Sequence, residues 1–221
     1  PDLWFAMVVA RFMNEPDTLR EIGFPVPWDP EHFLRVMAAR RARRAKLYRD
    51  DACTIRADNR LHRPKPQYQV EDVFNPLWRD RREMRPQAGE SLASYHARLG
   101  DYHGMGDGFM PAQIVADLKF VPPLRSASDW MTFAVSGPGS QRGLNRLLGR
   151  DKDAHWTEAE WRRQFDRLRE AIRPELAREG LGDLSGQDLQ GCLFEFDKYE
   201  RVRLGESKLH RRFRTNDGGF F

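Results

Sequence analysis

Apolar positions along this chain recur at spacings of three and four, and period-2 alternation of β-branched residues never persists. The pattern predicts a nearly all-α protein, and helix punctuation marks where the elements start. Asp29-Pro30-Glu31 sets an N-cap before a proline at the first helical position and opens a helix to about Tyr48. Asn14-Glu15-Pro16 opens a short helix that stops at Gly23. Ser91 starts the helix that holds Tyr95 and Leu99. Thr157-Glu158-Ala159-Glu160 is a capping box, followed by the stripe Trp161, Phe165, Leu168 and Ile172. Ser185 and Asp188 form a second box, leading into Leu189, Leu193, Phe196 and Tyr199. Residues 56–69 carry prolines and charges with no apolar period and read as an exposed loop. There is no internal repeat or low-complexity tract. We expect one helical domain over residues 1–221, with 1–89 and 90–221 as sub-lobes should it divide.

Composition narrows the partners. The chain has 221 residues, 40% of them hydrophobic, enough for a real core. No apolar run approaches the roughly 20 residues of a membrane span, and no secretion signal is present. Cys53 and Cys192 lie far apart and read as reduced thiols. These features point to the cytoplasm, the host's if the gene is a phage's. An iron–sulfur cluster needs four close cysteines and is excluded. His32, His62, His96, His103, His155 and His210 form no ligand pair, so no zinc site is expected. Net charge is +4. Arg40, Arg41, Arg43, Arg44 and Lys46 make one basic cluster, and Arg79, Arg81, Arg82 and Arg85 a second. Lys208, His210, Arg211, Arg212 and Arg214 make a third. Arginine suits bidentate phosphate contact, and basic clusters beside aromatics are the footprint of a nucleic-acid binder. The competing reading is solvated helix faces paired with the 33 acidic residues.

Three motifs carry candidate chemistry. In Gly104-Met105-Gly106-Asp107-Gly108-Phe109-Met110-Pro111-Ala112, Gly106 and Gly108 form a glycine turn that opens a helix. Such a turn permits positive φ and offers free N–H groups to a phosphate. Asp129 follows Gly108 by twenty-one residues. In Ser136-Gly137-Pro138-Gly139-Ser140-Gln141-Arg142-Gly143, the turn at Gly137 and Gly139, the Ser140 hydroxyl and the Arg142 guanidinium converge on what reads as an anion site. It lacks the lysine-serine/threonine ending of a P-loop. The alternative is a plain helix cap. In Gln190 to Arg201, Glu195, Lys198 and Tyr199 share one helix side, while Gln190, Asp197 and Arg201 share another. This group is either an ion-pair network between helices or the lining of a polar pocket.

The first motif with Asp129 resembles the core of helix-hairpin-helix DNA glycosylases. That resemblance implies a DNA phosphate held at the hairpin and an aspartate beside an everted base. The ordered set Arg11-Phe12-Met13-Asn14, Gly108 to Leu118, Gly137-Pro138-Gly139-Ser140 with Arg142-Gly143, and Glu195 to Tyr199 with Arg201 covers nearly the whole chain. Together these motifs resemble the alpha-glutamyl/putrescinyl thymine pyrophosphorylase family, the amino acid:DNA transferases of bacteriophage thymine hypermodification. The resemblance implies a glycosylase-like helical fold. It also implies a DNA substrate carrying 5-hydroxymethyluracil activated as a phosphate or pyrophosphate ester, which the enzyme exchanges for an amino acid or polyamine. Helical domains of related sequence also occur in hydroxymethyluracil DNA kinases. The missing P-loop speaks against a kinase.

Under that resemblance Asp129 is the expected general base, with Asp197, Lys198 and Tyr199 binding the amino acid or orienting Asp129. Gln113, Glu195, Arg11 and Asn14 are the further base- or substrate-binding candidates. Gly106, Gly108, Gly137, Gly139, Ser140, Arg142 and Arg201 are expected on phosphate. A divalent metal such as Mg2+ would come with the pyrophosphate, with no protein ligand set visible. The rivals are a monofunctional DNA glycosylase and a non-catalytic helix-hairpin-helix DNA-binding module. A lyase is not expected, because Met110 stands where bifunctional glycosylases carry lysine.

Overall fold

The computed structural model describes residues 2–49, 63–102, 104–106 and 108–208. It is all-helical, with no strand among the described residues. Contacts group the chain into two compact units, Pro1–Phe133 and Ala134–Phe221.

The first unit is built on α1 (Leu3–Met13), which is apolar nearly all round and buries Trp4, Phe5, Val8, Val9, Phe12 and Met13. A helix of that kind belongs inside a core. Next come α2 (Pro16–Ile22) and α3 (Pro30–Ala42). Asp29 caps α3 as expected, its carboxylate accepting from the His32 N–H at 2.9 Å. The helix stops at Ala42, short of Tyr48, because Arg44 turns left-handed. The Ala45 N–H then closes on Arg40 O (2.9 Å) and the Arg44 N–H on Arg41 O (3.0 Å), which together make a Schellman ending. A left-handed arginine carries no sequence signature, which is why the pattern overran.

A helical run follows: α4 (Lys65–Tyr68), a π-turn (Gln69–Phe74) and α5 (Asn75–Arg79), then α6 (Arg81–Met84). Part of the expected loop at 56–69 lies outside the described residues, and the rest is largely helix. Pro66 sits in the first turn, where proline is tolerated, and Tyr68 and Gln69 are buried. Phe74, in the π-turn, meets Phe5, Phe12, Trp28 and Phe33 edge-to-face at 5.4–6.3 Å. Each such pair adds about 0.5–1.5 kcal/mol beyond area burial. Finally α7 (Leu92–Gly100) and α8 (Phe109–Leu118) pack on each other, and α8 packs on α1.

The second unit holds α9 (Pro138–Leu147), α10 (Glu158–Arg178) and α11 (Gly186–Arg203). Both expected capping boxes are present. The Thr157 hydroxyl oxygen accepts from the Glu160 N–H, and the Ser185 hydroxyl oxygen from the Asp188 N–H. The core joins Leu144, Trp156, Trp161, Phe165, Leu189 and Leu193, with Leu168 and Ile172 packed against it. The α11 stripe departs from expectation. After Leu193 the next buried position is Asp197, while Tyr199 is 63% exposed. Helices α9 and α11 cross closely, since a Cβ on Gly143 would stand 2.8 Å from the Leu193 carbonyl carbon.

Candidate functional site

The helical hairpin expected around Gly106 and Gly108 forms between α7 and α8. Gly104, Gly106 and Gly108 all adopt positive φ (+83°, +75° and +91°), where any other residue is strained. Gly104 has a second reason: a Cβ there would lie 2.5 Å from Val73 Cγ2. Gly108 is the left-handed N-cap of α8 and has no side chain of its own to cap that end. The first N–H groups of α8 lie at the positive end of the helix dipole. His96 Nε2 lies 3.0 Å from Gly108 O and ties the turn to α7. Asp107 lies outside the described residues.

Asp129 is placed differently from a free base. Its Oδ1 accepts the Leu92 N–H at 2.7 Å and its Oδ2 the Ala93 N–H at 2.9 Å. The Ser91 hydroxyl oxygen accepts the Ser94 N–H at 3.1 Å. Side chains thus satisfy three orphan donors of α7, two of them through Asp129.

Arg11, Gln113 and Asp117 come together between α1 and α8. Arg11 grips Asp117 as a fork, Nε on Oδ2 at 2.9 Å and Nη2 on Oδ1, while Nη1 reaches Gln113 Oε1 at 3.4 Å. All three are part-buried, a setting in which a bidentate pair is geometrically specific as well as strong. Gln113 and Asp117 share a helix face by their i,i+4 spacing. That spacing, on a helix otherwise rich in apolar residues, was the signal for Asp117, which the sequence reading did not single out. Asn14 is the left-handed C-cap of α1, closing on Ala10 O at 2.8 Å. This is a conformation asparagine tolerates better than most residues.

In the second unit the glycine motif acts as a cap and a helix crossing. The Ser140 hydroxyl donates to Gly137 O at 3.0 Å and accepts the Gly137 N–H at 3.1 Å, and the side chain is buried. Gly137 is extended, with φ −136°. Gly139 makes room for the Phe194 ring, whose Cε2 would stand 2.7 Å from an added Cβ. Arg142 is spent on Asp197 (2.9 Å), joined there by Arg146 (3.0 Å). Asp197 is 1% exposed and its two oxygens serve these two guanidiniums. Arg146 also binds Glu206, which Lys152 joins. The physical reason for these pairs is burial: a carboxylate this deep must be paired. Lys198 pairs with Glu195 at 2.8 Å on the exposed side of α11, so Asp197 and Lys198 do not act as one cluster. Tyr199 lies on the exposed side, and Arg201 is half-buried in the last turn. Of the two earlier alternatives for this segment, the ion-pair network is the one present.

The basic clusters are also partly spent. Arg40 and Arg43 clasp Glu21, and Arg40 Nε donates to Lys46 O at 2.7 Å. Arg79 binds Asp80, and Arg85 binds Asp2 at 3.3 Å. Asp80 is held down at about 2, first by Arg79 and then by the Tyr102 hydroxyl that donates to it. Burial, with that hydrogen bond, pushes Tyr102 up to about 12. Most of the third basic cluster, with Cys53, His62, His103 and His210, lies outside the described residues. Among the described residues no three His, Cys, Asp or Glu side chains gather as a metal site. No described helix is long and apolar enough to cross a membrane.

No curated protein and no solved structure matches this chain. A family model described as "5-hmdU DNA kinase, helical domain" matches residues 1–209. This is the kinase-related helical domain rather than the transferase family that the motifs resemble. The match spans both units, all-helical as the pattern of apolar positions requires, and nearly the whole length. The chain therefore belongs to the 5-hydroxymethyldeoxyuridine DNA kinase helical-domain family, which serves the hypermodification of 5-hydroxymethyluracil in DNA.

Proposed function

We propose that this chain takes an activated 5-hydroxymethyluracil out of the DNA stack and exchanges its (pyro)phosphate for an amine such as an amino acid or a polyamine. The observation that carries the reading is the Arg11–Gln113–Asp117 group, which joins α1 to the helix that the glycine turn opens. Eversion is required because the 5-methylene carbon cannot be reached from all sides inside a duplex, and it costs a few kcal/mol. In this reading, phosphate bound at the hairpin offsets that cost. Arg11 on Oε1 orients the Gln113 amide, whose NH2 group has no acceptor among the described residues and is available to a pyrimidine carbonyl.

In the exchange the amine nitrogen attacks the methylene carbon and the C–O bond breaks. The electron pair leaves on the phosphate oxygen, and the amine gives up a proton. Asp129 and Asp117 both have their oxygens engaged, by caps and by Arg11. The departing phosphate, with a second pKa of about 6, suits the role of proton carrier. A divalent metal such as Mg2+ travels with the pyrophosphate as part of the substrate.

The family match favours a second reading, in which these helices present hydroxymethyluracil to a phosphate-donating domain. The 221 residues contain no glycine-rich loop ending in lysine-serine/threonine. Incubating the chain with pyrophosphorylated hydroxymethyluracil DNA and glycine, glutamate or putrescine separates the readings. A heavier nucleoside by mass spectrometry, with pyrophosphate released, supports exchange, and Gln113→Leu should lower it at least about tenfold, the loss of one hydrogen bond to a buried partner. Unaltered nucleosides on DNA that the protein binds refute exchange in favour of presentation. Free base refutes it in favour of a glycosylase.

A further inference from the structure

The segment after α8 exposes an aromatic ring that the fold does not use. Phe120 is 58% exposed, yet it is held in place. Trp130 meets it edge-to-face at 5.6 Å, and the Trp130 indole is anchored by donating to Lys119 O at 2.8 Å. The Lys119 ammonium, on a buried side chain, lies 4.5 Å from the Trp130 ring centre and 5.1 Å from that of Phe120. From Lys119 to Ser128 the chain carries two cations, Lys119 and the exposed Arg125, and no acidic residue. Pro122, Pro123 and a 3-10 turn over Leu124–Ser126, with Leu124 buried, stiffen the backbone beneath. A held, exposed aromatic followed five residues on by the exposed Arg125 matches a nucleobase attached to a phosphodiester.

We propose that Phe120 is a stacking platform for an unpaired base of the DNA strand on which this family acts, with Arg125 on a neighbouring phosphate. The proposal rests on the DNA-binding part of the function proposed above and adds a second point of grip. The platform holds a base of the opened strand, stabilising that strand rather than reading the target.

The test uses the full chain and two probes, an oligodeoxythymidine strand and a duplex with one unpaired thymine, followed by fluorescence anisotropy across a salt series. Phe120→Ala should weaken binding to both by about tenfold, the size of one lost base–aromatic stack, with an unchanged salt slope. Phe120→Trp should restore it. Arg125→Gln should lower the salt slope by about one. Phe24→Ala, which removes another exposed phenylalanine (64%), should leave binding unchanged. Circular dichroism checks that each variant is folded. If wild-type protein binds while Phe120→Ala binds equally well, the platform is refuted and the DNA-binding reading stands. If wild-type protein binds neither probe, both fall. If Phe120→Ala instead dissolves a dimer while DNA binding persists, the surface is a self-association face and the proposal is overturned.

Discussion

Replacing Gly143 by alanine tests the α9–α11 crossing directly. The added methyl would sit 2.8 Å from the Leu193 carbonyl carbon and 3.2 Å from its Cα. Ordinary carbon–carbon contact needs about 3.5–4 Å, so the helices would have to part by about an ångström. The obstacle is helical backbone, which cannot swing aside as a side chain does. Overpacking of this kind costs about 1–3 kcal/mol. Alanine returns about 1 kcal/mol through helix propensity. The parting also lengthens the Arg142–Asp197 and Arg146–Asp197 pairs, 2.9 and 3.0 Å across the same two helices. The net expectation is a loss of about 2 kcal/mol, or roughly 4–8 °C in Tm for a chain of this size. Thermal and urea unfolding followed by circular dichroism measures it. Gly191→Ala is the matched control on α11: its Cβ would meet nothing within 4 Å, so it should stabilise by up to about 1 kcal/mol. Gly139→Ala should fall between them, because its obstacle is the Phe194 ring, which is free to turn. A Gly143→Ala protein as stable as wild type, or one that moves with Gly191→Ala, would refute the close-crossing argument.

Two further outcomes follow from the first unit. Asp129→Ala should cost about 1–2 kcal/mol by removing two caps of α7, whatever it does to activity, so chemical denaturation must accompany every kinetic measurement on that variant. Asp80 is depressed from 3.8 to about 2, so its contribution is present above pH 3.8 and disappears as pH falls toward 2. Tyr102 is raised from 10.0 to about 12, so its contribution is present below pH 10.0 and disappears as pH climbs through 12. Tyr102→Phe should therefore move the acid-unfolding midpoint upward and remove the phenolate that forms near pH 12; an unchanged midpoint, read by circular dichroism, sinks the assignment.

Local chemistry was legible in the chain. Asp29, Ser91, Thr157 and Ser185 each cap the helix they were expected to open, because a cap and its N–H lie three residues apart. The Trp161, Phe165, Leu168 and Ile172 stripe was equally readable, since a helix repeats every 3.6 residues whatever surrounds it. The glycines at 106 and 108 announced their turn because only glycine takes positive φ without strain. What polar side chains do with their charge was decided elsewhere. Arg11 meets Asp117 across 106 positions, Arg142 meets Asp197 across 55, and Asp129 caps a helix that begins 37 residues earlier. A lone aspartate reads the same in sequence whether it is a base, a cap or half of an ion pair. Only the fold determines which donors are brought within 3 Å of it, and burial then makes that pairing obligatory.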